Sequence, residues 1–293
     1  MKRFYLLSIL IPLLHSGQAQ SFQIKVDDLG NAPVFSETFL MMNGIQTVRI
    51  NTQTELRPGT TKPGPSLLRQ YNPSGLLTQE IELAAESDTT RIASYYYNDN
   101  NILGWKQEMD MEWGKVLRTG YRFLGEHRPY QERDYEMLAN EQVMLLETKQ
   151  YSYTEQGQLS TILFKQGSKI VKTQQFSYNR SGQVLTESSF DQEGEEISRV
   201  SYTYYADGSI NTVTSVAEGE ENKSFMFLYD ENGLPSKVNW NRGEDSTGSI
   251  VYEYNPSGML MAMVETSKTQ PTVRRSFSYE KFEAEDTDRL AER

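Results

Sequence analysis

Residues 151–159 read Tyr-Ser-Tyr-Thr-Glu-Gln-Gly-Gln-Leu, and residues 252–260 read Tyr-Glu-Tyr-Asn-Pro-Ser-Gly-Met-Leu. The same register returns at Tyr178-Asn-Arg-Ser-Gly182, Tyr204-Tyr-Ala-Asp-Gly208 and Tyr229-Asp-Glu-Asn-Gly233. From Tyr153 to Tyr254 the tyrosines advance by 25, 26, 25 and 25 residues, and one further step reaches Tyr279. Upstream, Tyr71-Asn-Pro-Ser-Gly75 and Tyr97-Asn-Asp-Asn-Asn101 keep the phase, and Tyr121-Arg-Phe-Leu-Gly125 is read as a weaker copy. A fixed period of this length marks a repeat of one supersecondary unit. Asn101 stands where the other copies carry Gly, which predicts a positive φ at that position, since Asn is the next residue able to adopt it.

Each copy reads as two strands joined by a tight turn. Asn, Asp, Pro and Ser followed by Gly supply the turn chemistry. Alternating runs such as Val200-Ser-Tyr-Thr-Tyr204 and Phe225-Met-Phe-Leu-Tyr229 flank it. Short polar stretches such as Lys165–Ser168, Asp191–Gly194, Ala217–Glu220 and Asn241–Glu244 return the chain. Asn43-Gly44 followed by Ile45–Ile50 reads as half of another copy, with Arg57–Pro65 as its return loop. The expected fold is all-β: an antiparallel meander of tandem hairpin repeats of about 25 residues, sixteen to eighteen strands, forming an extended or curled sheet. The period of two puts Phe225, Phe227 and Tyr229 on one face and Met226 and Leu228 on the other. One face is thus expected to be aromatic and aliphatic throughout, the other Ser, Thr, Glu and Lys. The motif tyrosines are expected to form a structural ladder.

The spacing Tyr-x-Tyr-polar-x-x-Gly-x-Leu resembles the YD repeat of the RHS family, over roughly residues 66–280. The chain departs from that pattern in its period, in lacking an Arg after Gly, and in carrying the Asp after Tyr only at Asp230. The resemblance implies strand–turn–strand units in a long sheet and a place in the cell envelope. In that family such sheets can curl into a shell around a cargo domain, and this chain looks too small for that.

Outside the repeat, residues 1–19 read as a signal peptide. Lys2 and Arg3 precede an apolar run from Phe4 to Leu14, and Gly17-Gln-Ala19 offers a small-x-small exit. The run is too short to span a bilayer. Cleavage after Ala19 is expected, giving a secreted or periplasmic chain. Its repeat domain covers 20–280 with an irregular copy at about 104–150, and 281–293 form a charged tail.

The chemistry carried by the sequence is sparse. The 293 residues hold no Cys and two His, with net charge −11. There is no thiol nucleophile and no thiolate metal site, and the acidic balance disfavours nucleic acid. His127 reads as an exposed titrating group, with no Gly-x-Ser-x-Gly elbow to serve. Asp191/Glu193/Glu195/Glu196 and Glu218/Glu220/Glu221 lack the ligand spacing of a calcium loop and read as solvated loop charge. Trp105, Trp113 and Trp240 lie off the repeat register; burial in the sheet is the favoured reading, a sugar-stacking platform the other. No catalytic, cofactor-binding or metal-ligating residue is assigned, and no cofactor is expected. The leading expectation is a non-enzymatic exported protein whose sheet binds a protein or glycan of the envelope, with no membrane insertion and with oligomerisation open. The alternatives are a secreted carbohydrate-active enzyme using a carboxylate pair and an outer-membrane β-barrel.

Overall fold

A computed structural model describes residues 22–23, 34–85, 88–124, 128–138, 142–243 and 246–283. The proposed signal peptide, His127 and residues 284–293 lie outside these. The chain runs β1 (Phe22–Gln23), β2 (Val34–Phe35), α1 (Glu37–Met42), then eighteen longer strands. These are β3 (Ile45–Arg57), β4 (Thr60–Tyr71), β5 (Leu77–Leu83), β6 (Thr89–Tyr97), β7 (Leu103–Asp110) and β8 (Lys115–Leu124). Next come β9 (Arg128–Met137), β10 (Val143–Tyr153), β11 (Leu159–Gln166), β12 (Lys169–Tyr178), β13 (Val184–Phe190) and β14 (Glu196–Tyr204). The last six are β15 (Ile210–Ala217), β16 (Lys223–Tyr229), β17 (Pro235–Arg242), β18 (Thr247–Tyr254), β19 (Leu260–Ser267) and β20 (Thr272–Lys281).

The antiparallel meander is as the repeat predicts, but the sheet is neither extended nor merely curled. It closes into a barrel, because β20 pairs with β3 from Thr272↔Glu55 to Lys281↔Ile45. Closure satisfies the two strand edges that an open meander leaves unpaired.

The repeat signature proves to be a hydrogen-bonding device. In five copies the residue after the motif tyrosine caps its own turn: Asn72, Asn98, Asn179, Asp230 and Asn255 each accept two backbone N–H bonds through Oδ1. The Gly three residues later has positive φ, and so does Asn101, at 60°. A bulge then follows in the outgoing strand, between the pairs Thr203↔Thr212 and Tyr204↔Ile210 for example. The bulge turns Ile210 to the same face as Val213, so the simple alternation that groups Ile210 with Thr212 fails at each turn.

Seven tyrosines tie neighbouring repeats together. The phenols of Tyr97, Tyr153, Tyr178, Tyr204, Tyr229, Tyr254 and Tyr279 donate to the carbonyls of Leu77, Pro129, Leu159, Val184, Ile210, Pro235 and Leu260, at 2.6–2.9 Å. Each acceptor is the residue that pairs with the preceding motif position, as Val184 pairs with Tyr178. In the weaker copy, Pro129 pairs with Phe123 and not with Tyr121. Phe123 therefore occupies the motif register, two residues later than the sequence suggests.

Helix α1 is absent from the sequence reading. Asn43-Gly44 is its C-terminus and not a hairpin turn. Ser36 caps its start by accepting from the Phe39 N–H. Phe35, Phe39 and Leu40 are buried in the main core, and Phe35 meets Phe277 and Tyr279 edge-on at the β20–β3 seam. The Glu37 carbonyl lies against Gly75, where a Cβ would not fit. The expected loop Arg57–Pro65 is also shorter: Pro58-Gly59 makes the turn, and a bulge in β4 accommodates Gly64 and Pro65.

Removing one phenol leaves a carbonyl short of a donor, so Tyr204→Phe is expected to cost about 1 kcal/mol. Phe123→Tyr supplies the missing hydroxyl opposite the Leu103 carbonyl and is expected to gain roughly 0.5–1 kcal/mol. Urea unfolding midpoints of the two variants, moving in opposite directions, check the ladder.

Candidate functional site: the charged sector of the barrel wall

The most buried residues lie on one face of the sheet, and among the described residues no element covers the opposite face, so the buried face lines the interior. On β14–β20 and β3 that inner wall is mainly apolar: Val200, Val213, Phe225, Phe227, Val238, Trp240, Ile250, Phe277, Val48 and Ile50. The outward positions there are mostly Ser, Thr and Asn, with Arg199, Lys237 and Arg274. Phe225 and Phe227 are buried while Met226 and Leu228 are exposed, as the alternation predicts.

From β4 to β10 the polarity inverts, which overturns the expectation of one uniformly apolar face. Arg69, Glu80, Arg91, Lys106, Glu108, Glu132, Asp134, Glu147 and Lys149 all point inward. Charges of opposite sign sit on adjacent strands, so each finds a partner across the ladder and burial is offset. Glu80 receives Arg69 Nε at 2.8 Å and Arg91 at 2.8 Å, and Arg91 also reaches Glu82 and Glu108. Lys106 joins at Glu108, 2.9 Å away.

A second cluster centres on Glu132, which is 2% exposed. It accepts from Lys149 Nζ at 2.5 Å and from the Tyr151 phenol at 2.7 Å. Lys149 also approaches Asp134 at 3.3 Å, and Asp134 accepts from Thr119 at 2.7 Å.

The electrostatics follow from this pairing. Burial alone would raise the Glu80 carboxyl, but Arg69, helped by Arg91 and Lys106, holds it below the ordinary carboxylate range. Burial would lower Lys149, yet Glu132 and Asp134 raise it above the usual lysine value. Glu147 goes the other way: burial raises it, Asp134 and Glu132 add to the shift, and Lys149 only partly opposes. Burial raises the Tyr178 and Tyr204 phenols to about 12, keeping these ladder donors protonated.

The three tryptophans do not converge. Trp240 is buried at 3% exposure beneath the Arg242 guanidinium, 4.6 Å from its ring. Trp105 faces outward, stacked on Tyr96 at 3.5 Å from one neighbouring strand and covered by Arg118 at 4.6 Å from the other. Trp113 lies in the turn after β7, 76% exposed. From Trp105 to the end of β7 is about 17 Å at the ordinary strand rise, so Trp105 and Trp113 share no platform. Asp191 caps its turn through the N–H groups of Glu193 and Glu195, and Glu196 and Glu220 pair with Arg199 and Lys223. Among the described residues no group of three or more acidic or His side chains is disposed to hold a metal ion.

Sequence reasoning missed the inner ion clusters. The signal was available as Glu80/Glu82, Glu108/Asp110 and Glu132/Asp134/Glu136, spaced by two on strands of known register.

No protein family and no curated protein matches the chain. Among solved structures, a porin-like protein from Bacteroides uniformis shares 12% identity over 80% of this chain and 98% of its own, with a TM-score of 0.43. A porin-like protein from Bacteroides vulgatus shares 14% identity over 81% and 99%, with a TM-score of 0.39. The Photorhabdus luminescens Tc holotoxin pore shares 11% identity over 80% of this chain but 16% of its own, with a TM-score of 0.36. Likenesses this distant identify no family and carry no function.

Removing one partner of a buried pair strands the other charge. Lys149→Met is expected to cost about 3–5 kcal/mol, and adding Glu132→Leu to recover most of it, in a double-mutant cycle by urea unfolding. Glu147 and Glu80 should respond to pH with opposite signs. A raised folded-state pKa makes ionisation costly above the unfolded value of about 4.3, so Glu147→Gln stabilises at pH 7 and is neutral in acid. A lowered one contributes stability above about 4.3 that is lost as pH falls through the folded-state pKa, so Glu80→Gln destabilises at pH 7 and progressively less in acid. Unfolding midpoints measured from pH 3 to 7 test both.

Proposed function

We propose that this chain is a non-enzymatic β-barrel of the cell envelope, associated with the outer membrane. The observation that supports this reading is closure: eighteen antiparallel strands join end to end through β3 and β20. A closed barrel favours the barrel architecture of the outer-membrane alternative over the open scaffold sheet, while the outward residues bear on insertion. A barrel of this strand number belongs to the size class that encloses an interior wider than a packed core. The charged inner sector then offers a polar lining of the kind such barrels carry.

The association is peripheral. A spanning barrel presents an apolar band to lipid on every strand. Here β14–β20 turn Ser, Thr, Asn and charged residues outward, and this arc is read as facing water. The signal peptide is the proposed route of export. The RHS-like strand–turn–strand unit is kept as the proposed origin of the repeat, without any role in enclosing cargo.

Cell fractionation of the tagged full chain tests this reading. The protein is expected in the outer-membrane fraction and to be released by carbonate or high salt. Recovery wholly in the soluble fraction, or release by detergent alone, would overturn peripheral association.

A further inference from the structure

We infer that the outward face of β5–β10 docks on an anionic lipid surface. This inference rests on the envelope reading above and gives it a named surface. It starts from the strand register. Ile81, Ile92, Met109, Val116, Met137 and Val143 are direct cross-strand neighbours in one unbroken outward row across six consecutive strands. At about 4.8 Å per strand the row is about 24 Å long. On the outward face of β14–β20 the longest such run is the single pair Val251↔Val264, flanked by Lys237 and Arg274, and Met226 lies between Thr212 and Asn239.

The row opens onto exposed apolar side chains at the hairpin ends beside it. Met111 and Trp113 project from the turn after β7, and Leu138 and Leu145 flank the connection from β9 to β10. Exposed Trp and long flexible side chains beside an apolar strip are what a membrane interface accommodates.

Charge selects the kind of surface. The chain is acidic overall, yet every carboxylate on β5–β10 turns inward. The charges turned outward within β8 and β9 are Arg118, Arg122 and Arg133, with Arg128 at the start of β9. Arg122 is exposed, whereas Arg118 is held on the wall by its bond to Gln107 and its stacking on Trp105. Guanidinium groups beside an apolar strip, on strands whose own carboxylates all face inward, complement phosphate headgroups. A second copy of the chain is a poor occupant, because a two-fold contact would bring these arginines against one another.

Co-sedimentation of the full chain with phosphatidylcholine vesicles, with and without about one-third phosphatidylglycerol, tests the assignment. Binding to the anionic vesicles is expected to be at least tenfold tighter and to weaken with salt. Each of Arg122→Gln and Arg133→Gln is expected to lower it roughly fivefold, and Trp113→Ser to weaken binding to both vesicle types. Ser201→Asn with Thr214→Asn, on the polar arc, is expected to leave binding unchanged. All variants are compared at equal melting temperature. Equal affinity for neutral and anionic vesicles, no binding to either, or unchanged binding by both arginine variants would overturn the inference. So would capture by polyglutamate in preference to vesicles, which would indicate an acidic protein. Loss of vesicle binding with retained outer-membrane fractionation would sink this surface alone and leave the envelope reading in place.

Discussion

The pairing of β20 with β3 governs everything else in this fold. Hairpins can be added to a meander indefinitely, and each addition leaves two unpaired edges. Ten residues of β20 register against β3 and remove both edges at once. This gives the sheet an inside and an outside. Phe35, Phe39 and Leu40 lie beside that same seam, so the segment preceding the repeat is packed against the join.

Within the barrel, one local device is reused. A turn cap and a positive-φ residue reverse the chain, a bulge aims the next apolar residue inward, and a phenol reaches across to the carbonyl opened by the previous turn. These links are coupled. Without the bulge, Ile210 would leave the core, and without the phenol the Val184 carbonyl would lose its donor. The order of the bonds around the wall explains why the tyrosine recurs where the turn residues vary. Asn, Asp and Thr all cap the turn, whereas only a phenol has both the reach and the donor.

The two sectors of the wall answer different demands. On β14–β20 the interior is stabilised mainly by apolar burial, with Glu265 facing Arg242 and Arg275 near the return loops. On β4–β10 it is held by ion pairs arranged so that Glu80 and Glu132 each meet at least one cation. Putting the carboxylates inside frees the outside of the same strands of negative charge. The inner ion clusters and the outer apolar row are therefore two consequences of a single inversion of pattern, since residues alternate between faces.

The units are legible in the order of residues: the hairpins, their turns, the positive φ at Asn101, the facing of Phe225 and Phe227, and the structural role of the tyrosines. These are local, set by steric limits on φ and by a side-chain period of two. Closure comes from the folded chain alone, because the contact between residues 45–55 and 272–281 spans most of the chain and leaves no trace in a period of 25. The folded chain also decided the register of the weak copy at Phe123, the ending of α1 at Asn43-Gly44, and the separation of Trp105 from Trp113. The inner charge clusters stood between these cases. Their spacing was visible, but which face was concave depended on a barrel that had first to close.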